Sequence, residues 1–186
     1  MDELLLFGKL GFHHILNAGA VDHLLFLSAL TVVFSFKDAK RLIALISLFT
    51  LAHTLSLSLL AYRVVEVNTD SVEKAIVWTI LITALSNVLV RNKSKLQQLH
   101  LFYVFFFGLI HGMGFSHAFL MSVSGSNEIL FPLLSFAAGI EAGQILFIFV
   151  FLVIGHFVVE RLLKVNERSL ILSVSFFILG YAVSMI

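Results

Sequence analysis

Long apolar runs punctuated by short charged stretches dominate this chain. All but two of its 12 basic and 11 acidic residues fall between those runs or at their ends, the exceptions being Asp22 and Glu141. A hydrocarbon core offers backbone groups no water, so runs of this kind must fold as helices that satisfy their own N–H and C=O groups. Charged residues make up 12% of the chain and apolar residues 60%, against about 25% charge in a typical soluble domain, which excludes an ordinary soluble fold. A net charge of +1 leaves no surface for a polyanion, so nucleic acid is excluded as a partner. Without cysteine there is neither a disulfide scaffold nor a thiolate zinc site.

The expected fold is therefore all-α, a polytopic membrane helical bundle forming a single transmembrane domain over 1–186 with the lipid bilayer as its solvent. About six transmembrane helices are expected, at 20–36, 42–62, 75–90, 99–123, 131–159 and 170–186, since each crossing needs roughly 20 residues. Residues 2–17 are too short to cross and are expected to lie at the interface or re-enter the bundle. Acidic Asp2 and Glu3, and no small-residue cleavage pattern, argue against a cleaved signal peptide. The run 129–163 is too long for one upright helix, and Pro132 and Gly139 offer places for a short interfacial segment ahead of it.

Alternate loops differ in charge. Lys37, Lys40, Arg41, Arg91, Lys93, Lys95, Arg161, Lys164 and Arg168 lie on one side, and Lys9, Arg63 and Lys74 on the other. The positive-inside rule puts the first set in the cytoplasm and both termini outside it.

Asp22 and Glu141 need a physical reason, because a charge near the bilayer centre costs at least ~2.5 to 3.5 kcal/mol and survives when paired, metal-bound or facing a cavity. Histidine collects at the same places. His53 lies 12 residues after Arg41 on an outward-running helix, roughly 18 Å from the cytoplasmic edge at 1.5 Å per residue. His111 lies 12 residues into the fourth run and Glu141 ten into the fifth, while Asp22 and His23 open the first. Depth alone thus selects Asp22, His23, His53, His111 and Glu141, with His14 arriving from the preceding segment. His156 is excluded by its depth, and His13 and His117 read as ordinary helix histidines. Imidazole with carboxylate suits a divalent transition metal such as zinc, nickel or cobalt. Asn87 and Gln144 are candidate supporting donors, and glycines around His111 and Glu141 mark close helix approach.

Four stretches carry a resemblance: GFHHILNAGAVDHLLFL (11–27), FTLAHTLSL (49–57), FFGLIHGMGF (106–115) and FAAGIEAGQ (136–144). They resemble the HupE/UreJ family of bacterial membrane proteins over nearly the whole chain. The resemblance implies a multi-pass protein of the bacterial inner membrane whose recurrent polar residues fall at His14, Asp22, His23, His53, His111 and Glu141. It further implies nickel or cobalt permeation, or an accessory role beside a metallo-enzyme. Eight residues separate His14 from Asp22, a spacing closer to the second, less characterised branch of the family, and the extracytoplasmic domain of some members of that branch is missing.

Two functions follow as expectations. The first is metal uptake or transfer, with zinc or nickel held by the six residues, in a monomer or a homo-oligomer. The second is a zinc-dependent intramembrane hydrolase acting on a lipid or peptide bond, with Asp22 or Glu141 as general base for a zinc-bound water. Haem ligation by His53 and His111 ranks lower, and a retinal Schiff base is excluded because no span contains lysine.

Overall fold

The computed structural model describes residues 2–17, 20–123 and 128–186. Residues 18 and 19, inside the first motif quoted above, lie outside that description. Eight α-helices follow in order: α1 Asp2–Leu16, α2 Val21–Thr31, α3 Ala39–Ala61, α4 Thr69–Leu89, α5 Lys93–Gly114, α6 Ser116–Ser122, α7 Leu130–Val153 and α8 Glu167–Val183. A 3₁₀ turn, Phe36–Asp38, precedes α3, and α7 widens into a π-helical segment, Ile154–Leu162. No strand is present among the described residues, as an all-helical membrane fold requires.

Local chemistry sets the helix starts. Asn68, Asn92 and Asn166 cap α4, α5 and α8, each side-chain oxygen accepting from the backbone N–H three residues on, at 3.0, 2.9 and 2.8 Å. Because Asn68 starts α4 six residues before the expected third span, Asp70, Glu73 and Lys74 stand on a helix and not in a loop. Pro132 falls in the first turn of α7, where a missing N–H costs nothing, so α7 runs unbroken past both Pro132 and Gly139 instead of following a separate interfacial segment.

Among the described residues, the candidate crossings are roughly consistent with the expected bundle of about six. Three helical stretches are long and apolar enough to cross a membrane: Phe36–Ala61, Thr69–Leu89 and Leu130–Phe157. Two bent pairs raise the number to as many as five if each makes one crossing: Leu4–Leu16 with Val21–Thr31, bent by 68°, and Lys93–Gly114 with Ser116–Ser122, bent by 51°. The 17-residue α8 also runs from the basic end to the end where Met185 and Ile186 stand beside Asp22. The expected first span is thus half of a broken pair. Its 11-residue α2 covers roughly 16 Å. Ser35 ends that run by donating its Oγ–H to Asp38 Oδ2 at 2.9 Å, which turns the chain into the 3₁₀ segment. The N-terminal segment forms α1, which makes a bent pair with α2 and packs along α7.

Packing is pairwise: α1 against α7, α3 against α5, and α4 against α8, with α2 set between α4 and α7. Two of these crossings are so tight that only glycine fits. A methyl group on Gly11 would overlap the Phe136 carbonyl oxygen and lie 3.0 Å from Ile140 N, and one on Gly139 would overlap Gly8 O. Between α3 and α5, a methyl on Gly112 would overlap His53 O and Ser56 Oγ, and one on Gly108 would stand 2.7 Å from Phe49 O. The most apolar stretch, Leu130–Phe157, is only 28% buried in its core window, and Phe102, Phe106, Phe149, Phe176 and Phe177 are exposed. The apolar exterior surrounds an interior that also holds a layer of buried polar side chains.

One end of the bundle carries the basic loops. Lys93 Nζ lies 2.5 Å from Glu167 and 3.8 Å from Asp38, and Arg41 donates to Gln97 at 3.0 Å. Arg168 donates to the last carbonyls of α4, Asn87 O at 2.8 Å and Val88 O at 2.7 Å. Hydrogen bonds to a charged donor contribute about 1.5 to 3 kcal/mol. Arg168→Ala is therefore expected to lower the thermal midpoint of the detergent-solubilised protein by several degrees. Arg168→Lys should recover only part of it, since an ammonium lacks the two-pronged fork.

Candidate metal centre

Four histidines from four helices meet at the end of the bundle opposite the basic loops. His14 comes from the last turns of α1, His23 from the first turn of α2, His53 from the C-terminal half of α3 and His111 from the end of α5. The His23 ring centre lies 4.6 Å from that of His14, 5.2 Å from His111 and 5.9 Å from His53, and His14 and His53 are 6.0 Å apart. Two imidazoles bound to one tetrahedral zinc at its usual distance have ring centres roughly 5.3 Å apart. His53 and His111 are completely buried, and His23 is 3% exposed.

Hydrogen bonds fix two tautomers. A carbonyl only accepts, so the 2.8 Å contact between His111 Nδ1 and Phe107 O puts the proton on Nδ1 and the lone pair on Nε2. The 3.2 Å contact between His23 Nδ1 and the Asp22 carboxylate does the same for His23. Carboxylate-to-imidazole support of this kind raises ligand basicity and sets ring orientation. Asp22 also lies within electrostatic reach of His14, His53 and His111. On these four histidines, five buried ring nitrogens have no hydrogen-bond partner: Nε2 of His14, His23, His53 and His111, and Nδ1 of His53. Among the described residues, no three His, Asp or Glu side chains are aimed to hold an ion as they stand. The rings are gathered but not converged on one point.

The surroundings are asymmetric. Toward the basic end, one helical turn from His23, His53 and His111, Phe26, Phe49 and Phe107 close the floor: the Phe26 ring lies 5.1 Å from both Phe49 and His111, Phe49 lies 5.3 Å from His111, and Phe107 lies 6.1 Å from Phe26. On the other side His14, Asp22, His23 and His111 line a cavity of about 470 Å³. The Phe115 ring stands 4.0 Å from that of His14 and stacks on Phe136 at 4.9 Å.

The remaining candidates lie elsewhere. Glu141 is half-buried, and its Oε1 accepts from Ser47 Oγ at 2.5 Å. Gln144 accepts from Thr50 Oγ1 at 2.9 Å, and Asn87 donates to Ala29 O at 2.8 Å, so both tie helices to each other and not to the histidines. His117 is exposed on α6, exposed His13 lines the rim of the cavity, and the His156 ring packs 5.9 Å from Phe36 toward the basic end. Two residues escaped the sequence reading. His100 is completely buried with both ring nitrogens unpartnered, on the α5 face that continues through Val104 and Phe107 to His111. Glu73 lines the histidine cavity, and its spacing of three and four residues from buried Ile76 and Val77 was the available signal.

An all-helical chain with a lipid-like exterior and a buried polar layer defines a membrane protein. Within that class the chain belongs to the HupE/UreJ family: the family model described as HupE / UreJ protein matches residues 1–186. No curated protein and no solved structure matches it.

Proposed function

We propose that the protein binds one divalent transition-metal cation through His14, His23, His53 and His111, with Asp22 supporting His23, and takes it up or hands it on. Zinc, nickel and cobalt all suit a nitrogen-rich set, and the association of the HupE/UreJ family with nickel and cobalt transport agrees with that chemistry. The observation that carries the reading is the group of five buried, unpartnered imidazole nitrogens. Each costs about 1 to 3 kcal/mol when left unsatisfied, and a cation would satisfy several at once. Glu141, held by Ser47, stands outside this ligand set. With the basic loops in the cytoplasm, the site faces the outer half of the inner membrane.

The test is a titration of metal-stripped full-length protein in an uncharged detergent with zinc, nickel and cobalt. About one equivalent should bind at pH 7.5. Absence of binding above background at pH 7.5 would overturn the reading.

A zinc-dependent intramembrane hydrolase is the second reading, and the cavity beside Asp22 favours it, because a water on the ion and a lipid ester or amide would both need room there. Asp22→Asn separates the two. A hydrolase would keep its metal and lose turnover of lipid esters or amides, whereas a carrier would show only weakened binding.

A further inference from the structure

Two cavities adjoin at the start of α4. The histidine cavity, about 470 Å³, shares Asp22, Glu73 and Ile76 with a neighbour of about 510 Å³ that Asp70, Lys74 and Trp78 also line. Asp70 and Glu73 stand on consecutive turns of one α4 face, put there by the Asn68 cap. Three carboxylates thus face a single ammonium, Lys74. Among the described residues, neither the Asp70 nor the Glu73 side chain forms a hydrogen bond or ion pair.

An acidic patch alone would mean little, but this one leads somewhere. His111, completely buried, lines the same cavity as Glu73 and carries an unpartnered Nε2, as does 3%-exposed His23. On the opposite side the phenylalanine floor closes the route. We infer that Glu73, with Asp70 beside it, is the loading site for the metal: the pair receives a hydrated divalent cation and passes it through Asp22 to the histidines. This rests on the metal reading above. Carboxylate oxygens suit a cation that still holds its water, and imidazoles suit it once dehydrated, so the order of ligands follows the order of dehydration.

Such a pair acts on arrival, because clefts lined by one sign of charge raise association rates by about 10 to 10³-fold with little effect on departure. The test is stopped-flow binding of Co²⁺ to the full-length protein in uncharged detergent at low salt. Glu73→Gln with Asp70→Asn should slow association about 5- to 10-fold and leave dissociation unchanged, and Lys74→Gln should speed it. Added salt should slow the parent chain toward the double variant. If parent and double variant associate equally fast, the loading site is wrong while the histidine site stands. If the parent binds no Co²⁺, both fall.

Discussion

Replacing Gly139 by leucine should leave no folded protein in detergent, and replacing it by alanine should already lower the thermal midpoint measurably. A methyl at this position overlaps Gly8 O and stands 2.9 Å from Phe12 N, both backbone atoms that cannot turn aside, so α1 must move off α7. Overpacking of a tight contact costs about 1 to 3 kcal/mol for small additions and more for a branched side chain. The same move carries His14 away from His23, since this crossing sets the position of α1 against the bundle. Gly139→Ala should therefore weaken metal binding along with stability. Gly180→Leu is the internal control: a Cβ there meets nothing within 4 Å, and the variant should behave as the parent. Size-exclusion profiles and thermal unfolding of the three variants check the series, and equal behaviour of Gly139→Leu and Gly180→Leu would rule out the crossing as the element that seats α1.

Composition and apolar runs were enough to give an all-helical membrane fold, because lipid permits little else. They were not enough to give the shape of each crossing. Hydropathy sees that 20–36 is apolar, but not that the Ser35–Asp38 pair ends the helical path early or that α1 meets α2 at an angle of 68°. Neither does it see that the helix reading through Leu99 begins at an asparagine cap and bends near Phe115.

The site was legible by depth, and depth has one dimension. His14, Asp22, His23, His53 and His111 come together, as their distances along the spans implied. Glu141 illustrates what was missing. On α7 the His14 ring packs beside Phe136, at 5.8 Å, and Glu141 lies five residues further, about 7.5 Å toward the basic end. Its partner Ser47 is six residues from His53 on α3, roughly 9 Å along the axis and about 120° around it. A level counted from a span end carries an error of a turn, and rotation about the axis is set by packing. Here packing is set by glycines, so Gly112 against His53 O and Gly11 against Phe136 O orient the histidines more than their own spacing does.

His53→Leu should make the metal-free protein more stable while lowering metal affinity at least 100-fold. The two effects share one cause. Both ring nitrogens of His53 are buried without a partner, in a setting walled by the Phe49 ring 6.1 Å away. A histidine kept for structure would hold its helix to a neighbour by hydrogen bonds, and its loss would destabilise. An unpartnered one is a local penalty of about 1 to 3 kcal/mol that leucine, of similar bulk, removes. Stored cost of this kind belongs at functional sites, where occupancy by a ligand relieves it. The opposite sign applies with metal present: saturating zinc should raise the midpoint of the parent chain by RT ln(1 + [L]/Kd), about 2.7 kcal/mol at 100 times Kd, and leave the variant unmoved. Thermal unfolding of both proteins with and without zinc reads all four values, and a variant less stable than the metal-free parent would return His53 to the role of an ordinary core residue.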